Sequence, residues 1–266
     1  MIPVLLNPSA GRAEEVRSAL CDAGCFDVRP VEGSEVTQAA QEALAEGARR
    51  VAVAGGDGTI SSAAAALAGS GAELIVIPAG TLNHFARDHG IPSDISAACG
   101  LAKSRTVKEV DVALVNGRLF LNMSSVGTYA TFVRLREKVE PFLGYWLASL
   151  VAAARTLIRA KPFALRVETE LSRRDYHTRI VFIGVGERDV SITAAGERLK
   201  NGRSALHLLV LRGWRLRFDR AFVTRCLIEQ RHSTVAVDGE VVHLDSPLRY
   251  VFWPKALRVV VPSSTI

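Results

Sequence analysis

Cysteine is scarce in this sequence: four in 266 residues, at Cys21, Cys25, Cys99 and Cys226. Their spacing matches no zinc signature, and a disulfide framework is unusual in a chain of this length, so all four read as free thiols. Long apolar runs are also missing. Stretches such as Val235–Val242 and Leu206–Leu211 are too short or too interrupted to span a bilayer. No basic start leading into a long apolar segment follows Met1, so a secretory signal is not expected and the cytoplasm is the default location. Internal repeats and low-complexity segments are absent, which excludes solenoid arrays and tails of biased composition.

What is present is an ordinary globular composition, 48% hydrophobic and 23% charged, long enough for two domains. The net charge of +6 and a pI near 9.4 imply attraction to an anion. Nucleotide, nucleic acid and an acidic membrane surface all satisfy that requirement.

The first third alternates strand and helix. Strand character at Ile2–Leu6, Val28–Val31, Val51–Ala54 and Leu74–Ile77 is interleaved with helical stretches at about 13–20, 36–46, 59–67 and 81–89. Repeated units of this kind specify an α/β domain with a mostly parallel sheet and helices on both faces. After about Val112 the texture changes to short strand-like segments at 165–169, 179–185, 205–211, 234–237, 241–244 and 249–253, separated by turn residues. That pattern predicts a β-rich C-terminal domain, sandwich or barrel. One helix, Gly144–Ala160, interrupts it. The expected division is 1–112 and 113–255, with a last strand near 256–266 returning to the first domain.

Two loops carry chemistry. In Gly55-Gly56-Asp57-Gly58-Thr59 a buried strand runs into glycines and then into a helix start. Glycines let a ligand approach the backbone, and the free amides and dipole of a helix N-terminus favour an anion. Neither common phosphate fingerprint fits. There is no G-x-x-x-x-G-K-S/T, and Ser61 stands where the last glycine of G-x-G-x-x-G belongs. A second loop, Pro78-Ala79-Gly80-Thr81-Leu82-Asn83, follows the next strand; Thr81 either caps the helix after it or donates a hydroxyl to phosphate. Ligands of open α/β sheets bind at such strand ends.

With Asn7-Pro8-Ser9-Ala10-Gly11 before these loops, His84-Phe85-Ala86-Arg87 after the second and Asp238-Gly239-Glu240 near the end, the chain resembles the bacterial lipid-kinase family related to diacylglycerol kinase and sphingosine kinase catalytic domains. The resemblance implies ATP and Mg²⁺ held in a cleft between the two domains, and phosphorylation of a lipid hydroxyl. It implies that Asn7, Ser9 and Gly11 line the nucleotide. Gly55, Gly56, Asp57, Gly58 and Thr59 would hold its phosphates together with Gly80, Thr81 and Asn83. Glu240 would accept the hydroxyl proton with Asp238 beside it, and Asp57 would organise the Mg²⁺. Asp238-Gly239 is at the same time the standard two-residue hairpin signal between 234–237 and 241–244.

Three positions depart from the family pattern. His84 stands where Asp is usual, Ser62 where Glu is common, and Asn201-Gly202 where some relatives carry a metal-binding Asp-Gly pair. Asparagine lacks the charge a hard cation prefers, so no structural metal is expected there. His84 and His89 lie five apart, which is not the spacing of a metal pair on one helix face. Two stretches mix apolar and basic residues as an interfacial segment would: Tyr145 to Lys161, and Arg212 to Arg220. The second also has the composition of a nucleic-acid patch, but no nucleic-acid-binding fold signature accompanies it. The leading expectation is therefore an ATP- and Mg²⁺-dependent lipid kinase meeting the membrane peripherally. The alternatives are a soluble-metabolite kinase like NAD kinase, whose Gly-Gly-Asp-Gly loop is shared, and a non-catalytic nucleotide- or lipid-binding relative.

Overall fold

The computed structural model describes residues 1–127, 161–189, 198–199, 201–213, 217–230 and 234–263, with Leu135 and Arg155 singly. Apart from Arg155 and Lys161, the expected helix at 144–160 and the basic–apolar stretch from Tyr145 to Lys161 lie outside the described residues, as do Trp214, Arg215 and Leu216 of the second such stretch. The chain divides into two compact units, 1–112 with 253–266, and 113–252.

In the first unit the order is β1 (Ile2–Leu6), α1 (Ala13–Ala23), β2 (Phe26–Pro30), α2 (Val36–Ala45), β3 (Arg50–Gly55), α3 (Asp57–Leu67), β4 (Glu73–Pro78), α4 (His84–Asp88), α5 (Ile95–Gly100) and β5 (Val107–Val115), which leads into the second unit. The strands run parallel in the order β2-β1-β3-β4. Val4 to Leu6, Val51 to Ala54 and Leu74 to Ile77 are all fully buried. Continuous apolar runs rather than alternation are what a sheet covered on both faces demands. The helices that cover it pack in pairs, α1 with α5 and α2 with α3.

The second unit contains β6 (Arg118–Phe120), β7 (Met123–Gly127), β8 (Phe163–Thr169), β9 (Arg173–Thr178), β10 (Ile180–Val185), β11 (Leu206–Arg212), β12 (Arg217–Val223), β13 (Arg225–Glu229), β14 (Thr234–Val237), β15 (Glu240–His243) and the start of β16 (Leu248–Val260). One antiparallel sheet runs β12-β11-β10-β7-β14-β15, and β16, β13, β8 and β9 pair successively in another. Val126, Val181, Ile183, Leu208 and Val210 from the first meet Leu165, Val167, Ile228 and Tyr250 from the second in one core. Inward-facing residues alternate along these strands, as in a sandwich. The α/β-plus-β architecture expected from the pattern is therefore observed.

The details differ in instructive places. Strands β5, β6, β7, β9, β12 and β13 were not expected; β9 and β12 stand at sheet edges, where charged residues such as Arg173, Arg174 and Asp175 break the alternation, whereas β7 and β13 lie inside their sheets. The segment expected at 249–253 and the last strand expected near 256–266 form one strand, β16 (Leu248–Val260), whose end pairs parallel with β4 (Arg258 opposite Glu73). The helix expected from Thr81 begins at His84, because Asn83 takes a left-handed conformation (φ 48°) and ties back to Gly80. Thr81 is thus no helix cap. All four cysteines are free, and burial pushes the Cys99 thiol up to about 11 and Cys226 to about 12, so these two are packing residues.

Where β3 and β4 begin and β16 nears its end, Arg50, Glu73 and Arg258 stand in one cross-strand row. Glu73 accepts from Arg50 Nε at 2.7 Å and Arg258 Nη2 at 3.0 Å. Burial pushes the Glu73 carboxyl up, but hydrogen bonds from Arg258 and Arg50 outweigh it and hold the group below its ordinary value. A lowered folded-state value means that this stability is present above the unfolded value and is lost as pH falls through the folded one. Denaturant titrations should show Glu73→Gln less stable than wild type at pH 7 by about 1 kcal/mol, with the gap closing below about pH 4.

Candidate functional site

The loops at the carboxyl ends of β1, β3 and β4 are held together by contacts that explain their composition. Asn7, just past β1, donates from Nδ2 to Thr59 Oγ1 at 3.1 Å and accepts the Ser9 amide on Oδ1 at 2.9 Å. Thr59 is buried and lies against Gly55, where an added Cβ would sit 2.6 Å from the threonine side chain. An added Cβ on Gly80 would lie 2.6 Å from the Gly56 Cα, so the two glycine loops touch backbone to backbone. Glycine is obligatory there for the close approach, not for a turn angle.

Helix α3 starts at Asp57 with Gly56 as its N-cap and no side-chain cap. The Asp57 carboxylate is directed to the other loop, accepting the backbone amides of His84 and Phe85 at 3.0 Å each. It therefore caps α4 across the gap between β3 and β4, a role that loop spacing alone does not reveal. Asn83 closes the second loop on itself, accepting the Gly80 amide at 3.0 Å and donating to the Gly80 carbonyl at 2.7 Å. Its amide group is thereby engaged in the turn. Ser9, Gly11 and Thr81 are exposed on these loops, and Gly56 and Gly58 are half-buried. The structure thus brings Asn7, Gly55, Gly56, Asp57, Thr59, Gly80 and Asn83 into one connected constellation.

Two candidates lie in the other unit. Asp238 (φ 48°) and Gly239 (φ 91°) form the two-residue hairpin joining β14 to β15, with Val237 opposite Glu240. Positive φ at both central residues is the geometry of a primed turn. Asp238 Oδ2 accepts the Leu121 amide at 2.7 Å, and Oδ1 accepts those of Asn122 and Met123 at 2.8 and 3.0 Å. It is a clamp on the β6–β7 connection as well as a turn residue. Glu240 is exposed and pairs with Arg118 Nη2 at 2.5 Å. Arg118 was not expected from the sequence; it follows the Asn116-Gly117 turn and carries no motif signal.

The histidines do not act together. His84 is exposed, its Nδ1 2.7 Å from Arg87 Nη2, whereas His89 is buried against the Phe85 ring. Asn201 is exposed, and the Gly202 amide donates to the Leu199 carbonyl. Among the described residues, no group of three or more His, Cys, Asp or Glu side chains is placed to hold a metal. Chemically, the first unit offers bare backbone at a helix N-terminus, and the second an exposed carboxylate on a clamped turn.

Comparison with known proteins supports the resemblance read from the motifs. Residues 2–115 match the family described as the diacylglycerol kinase catalytic domain. A protein of Pseudomonas aeruginosa (strain UCBPP-PA14) named "Probable lipid kinase YegS-like" is 43% identical over 131 residues, 47% of this chain and 43% of that protein. The first relatives matched are thus aligned over less than half of their length. One of the same name from Pseudomonas fluorescens is 29% identical over 98% of this chain and 95% of its own length. The crystal structure of a diacylglycerol kinase from Bacillus anthracis is similar in fold, with a TM-score of 0.75, 22% identity and coverage of 100% of this chain and 98% of its own.

The loop contact makes a sharp stability prediction. Gly80→Ala forces backbone against backbone and should lower unfolding free energy by about 1–3 kcal/mol. Gly11→Ala, with nothing within 4 Å of the added Cβ, should stay within about 0.5 kcal/mol of wild type in the same urea titration.

Proposed function

We propose that this chain, whose residues 2–115 belong to the diacylglycerol kinase catalytic domain family, transfers the γ-phosphate of ATP to a hydroxyl of a lipid or lipid-like acceptor such as diacylglycerol. One observation carries the reading: the backbone contact of Gly56 and Gly80, at the carboxyl ends of adjacent parallel strands and beside the N-terminus of α3. Side-chain-free backbone at a helix N-terminus suits a polyphosphate. Phosphoryl transfer asks the protein mainly for positioning and charge neutralisation.

On this reading the half-buried Gly56 and Gly58 and the start of α3 receive phosphate oxygens, with Thr81 offering an exposed hydroxyl. Asn7, Ser9 and Gly11 face the nucleoside side of the ligand. Thr59 supports Asn7 from below through their hydrogen bond. Mg²⁺, when bound, neutralises phosphate charge. Asp57 is the carboxylate we assign to it, because both its oxygens keep a lone pair beyond the amides they accept, and Mg²⁺ commonly takes only one or two protein carboxylates. Glu240 accepts the acceptor's proton, and the Arg118 ion pair sets its direction. Asp238 keeps the hairpin that presents Glu240 rigid. On the same reading it works from the cytoplasm and meets its acceptor peripherally at a membrane surface.

One arrangement favours a second reading, nucleotide binding without turnover. Asp57 is committed to two amides, and His84, paired with Arg87, occupies the position where the family carries a further carboxylate.

Incubation with γ-labelled ATP and Mg²⁺ and a panel of diacylglycerol, sphingoid bases, phospholipids and NAD decides between them. Labelling of a lipid, reduced about 10²–10⁴-fold by Glu240→Ala with an almost unchanged melting temperature, is the expected outcome. Exposed ion pairs contribute little to stability, so loss of the Arg118 partner should not unfold the variant. Labelling of NAD alone moves the acceptor to a soluble metabolite. ATP-dependent stabilisation without transfer to any acceptor supports the second reading.

A further inference from the structure

The hairpin formed by β8 and β9 ends in a turn whose construction its own fold does not require. Thr169 Oγ1 accepts the amides of Leu171 and Ser172 at 3.2 and 3.1 Å, and the Thr169 amide donates to the Ser172 carbonyl at 2.9 Å. This clamped tip holds Leu171 outward, 80% exposed. A short polar loop closes such a hairpin equally well, and an isolated exposed leucine is unremarkable by itself.

The surroundings give it a partner. Arg173 and Arg225 flank the tip, their side chains 58% and 74% exposed and only loosely paired, with Glu168 at 3.8 Å and Glu170 at 4.0 Å. Arg174 is exposed on the edge strand and has no ion-pair partner among the described residues. The acidic residue nearest the tip, Glu170, is folded back to accept the Thr224 amide at 3.1 Å and the Thr224 hydroxyl, leaving its side chain 28% exposed. Beyond Arg174 the same edge opens into a cavity of about 570 Å³ lined by both signs of charge, Arg174, His177 and Arg212 with Asp175 and Asp219, so the unpaired cation of this edge is Arg174 among the described residues. Charge on an edge strand protects against strand pairing, but that need does not explain a rigidly presented leucine with its neighbouring carboxylate turned away.

We propose that this tip docks the protein on an anionic phospholipid membrane, with Leu171 entering the acyl boundary and the arginines engaging headgroup phosphates. The combination of a protruding apolar side chain and a cationic collar is what interfacial binding uses. The proposal rests on the lipid reading above for its purpose, and on the hairpin alone for its geometry.

The test is co-sedimentation of the full chain with phosphatidylcholine vesicles, with and without phosphatidylglycerol. Wild type should pellet with the anionic vesicles, Leu171→Asp should bind about tenfold or more weakly, and Arg174→Ala about fivefold more weakly. Melting temperatures should stay at the wild-type value, because both side chains are exposed. Transfer to a short-chain lipid dispersed in detergent, measured in parallel, should be the same for Leu171→Asp as for wild type. Equal pelleting of wild type and Leu171→Asp, or no pelleting of wild type, overturns the docking surface. Absent transfer with intact, Leu171-dependent pelleting instead overturns the kinase reading and leaves the surface standing.

Discussion

Two backbones meet where Gly56 and Gly80 touch, and much of the first unit is arranged around that meeting. A Cβ on Gly80 would come within 2.6 Å of the Gly56 Cα, a distance no packing adjustment absorbs without moving a strand end. The contact puts the loop after β3 and the loop after β4 side by side. It also leaves the N-terminus of α3 without a side-chain cap, so its first amides keep their capacity for an anion. The Asn7–Thr59 hydrogen bond then joins the loop after β1 to the same point. Without the glycine contact, these loops would be separate strand ends instead of one surface.

Asp57 and Asp238 show the same physical device in the two units. Each carboxylate accepts backbone amides from a distant segment, Asp57 from His84 and Phe85, Asp238 from Leu121 to Met123. Charge-assisted bonds to amides are stronger than neutral ones, and they fix loops that lie far apart in sequence. A motif aspartate therefore serves the fold before it serves any ligand, and replacing either one tests structure and chemistry together. Glu240 is different. Among the described residues it pairs with Arg118, and both are exposed, so its substitution separates chemistry from stability.

The parallel core was legible because strands buried on both faces spell out continuous apolar runs, as Val51 to Ala54 and Leu74 to Ile77 do. The hairpin at Asp238-Gly239 was legible because positive φ at two successive residues selects that dipeptide. Edge strands such as β9 were not, since Arg173 to Asp175 serve solubility and erase the alternation. The loops themselves stood out through their glycines, but their partners did not. Nothing local in Asp57 announces that it will cap α4, and nothing in Asn83 announces that it will close on Gly80 and delay the helix by three residues. Arg118 escaped notice for the same reason: a pairing across 122 positions leaves no trace in spacing.

Hydrogen exchange of the full chain with and without ATP tests the central claim most directly, because it reads the loop amides and needs no acceptor. The glycine-loop account predicts slowed exchange at Gly56 to Thr59 and at Gly80 to Leu82, with β8 and β9 unaffected. Protection confined to other segments, or no change at these amides under saturating ATP, would contradict it.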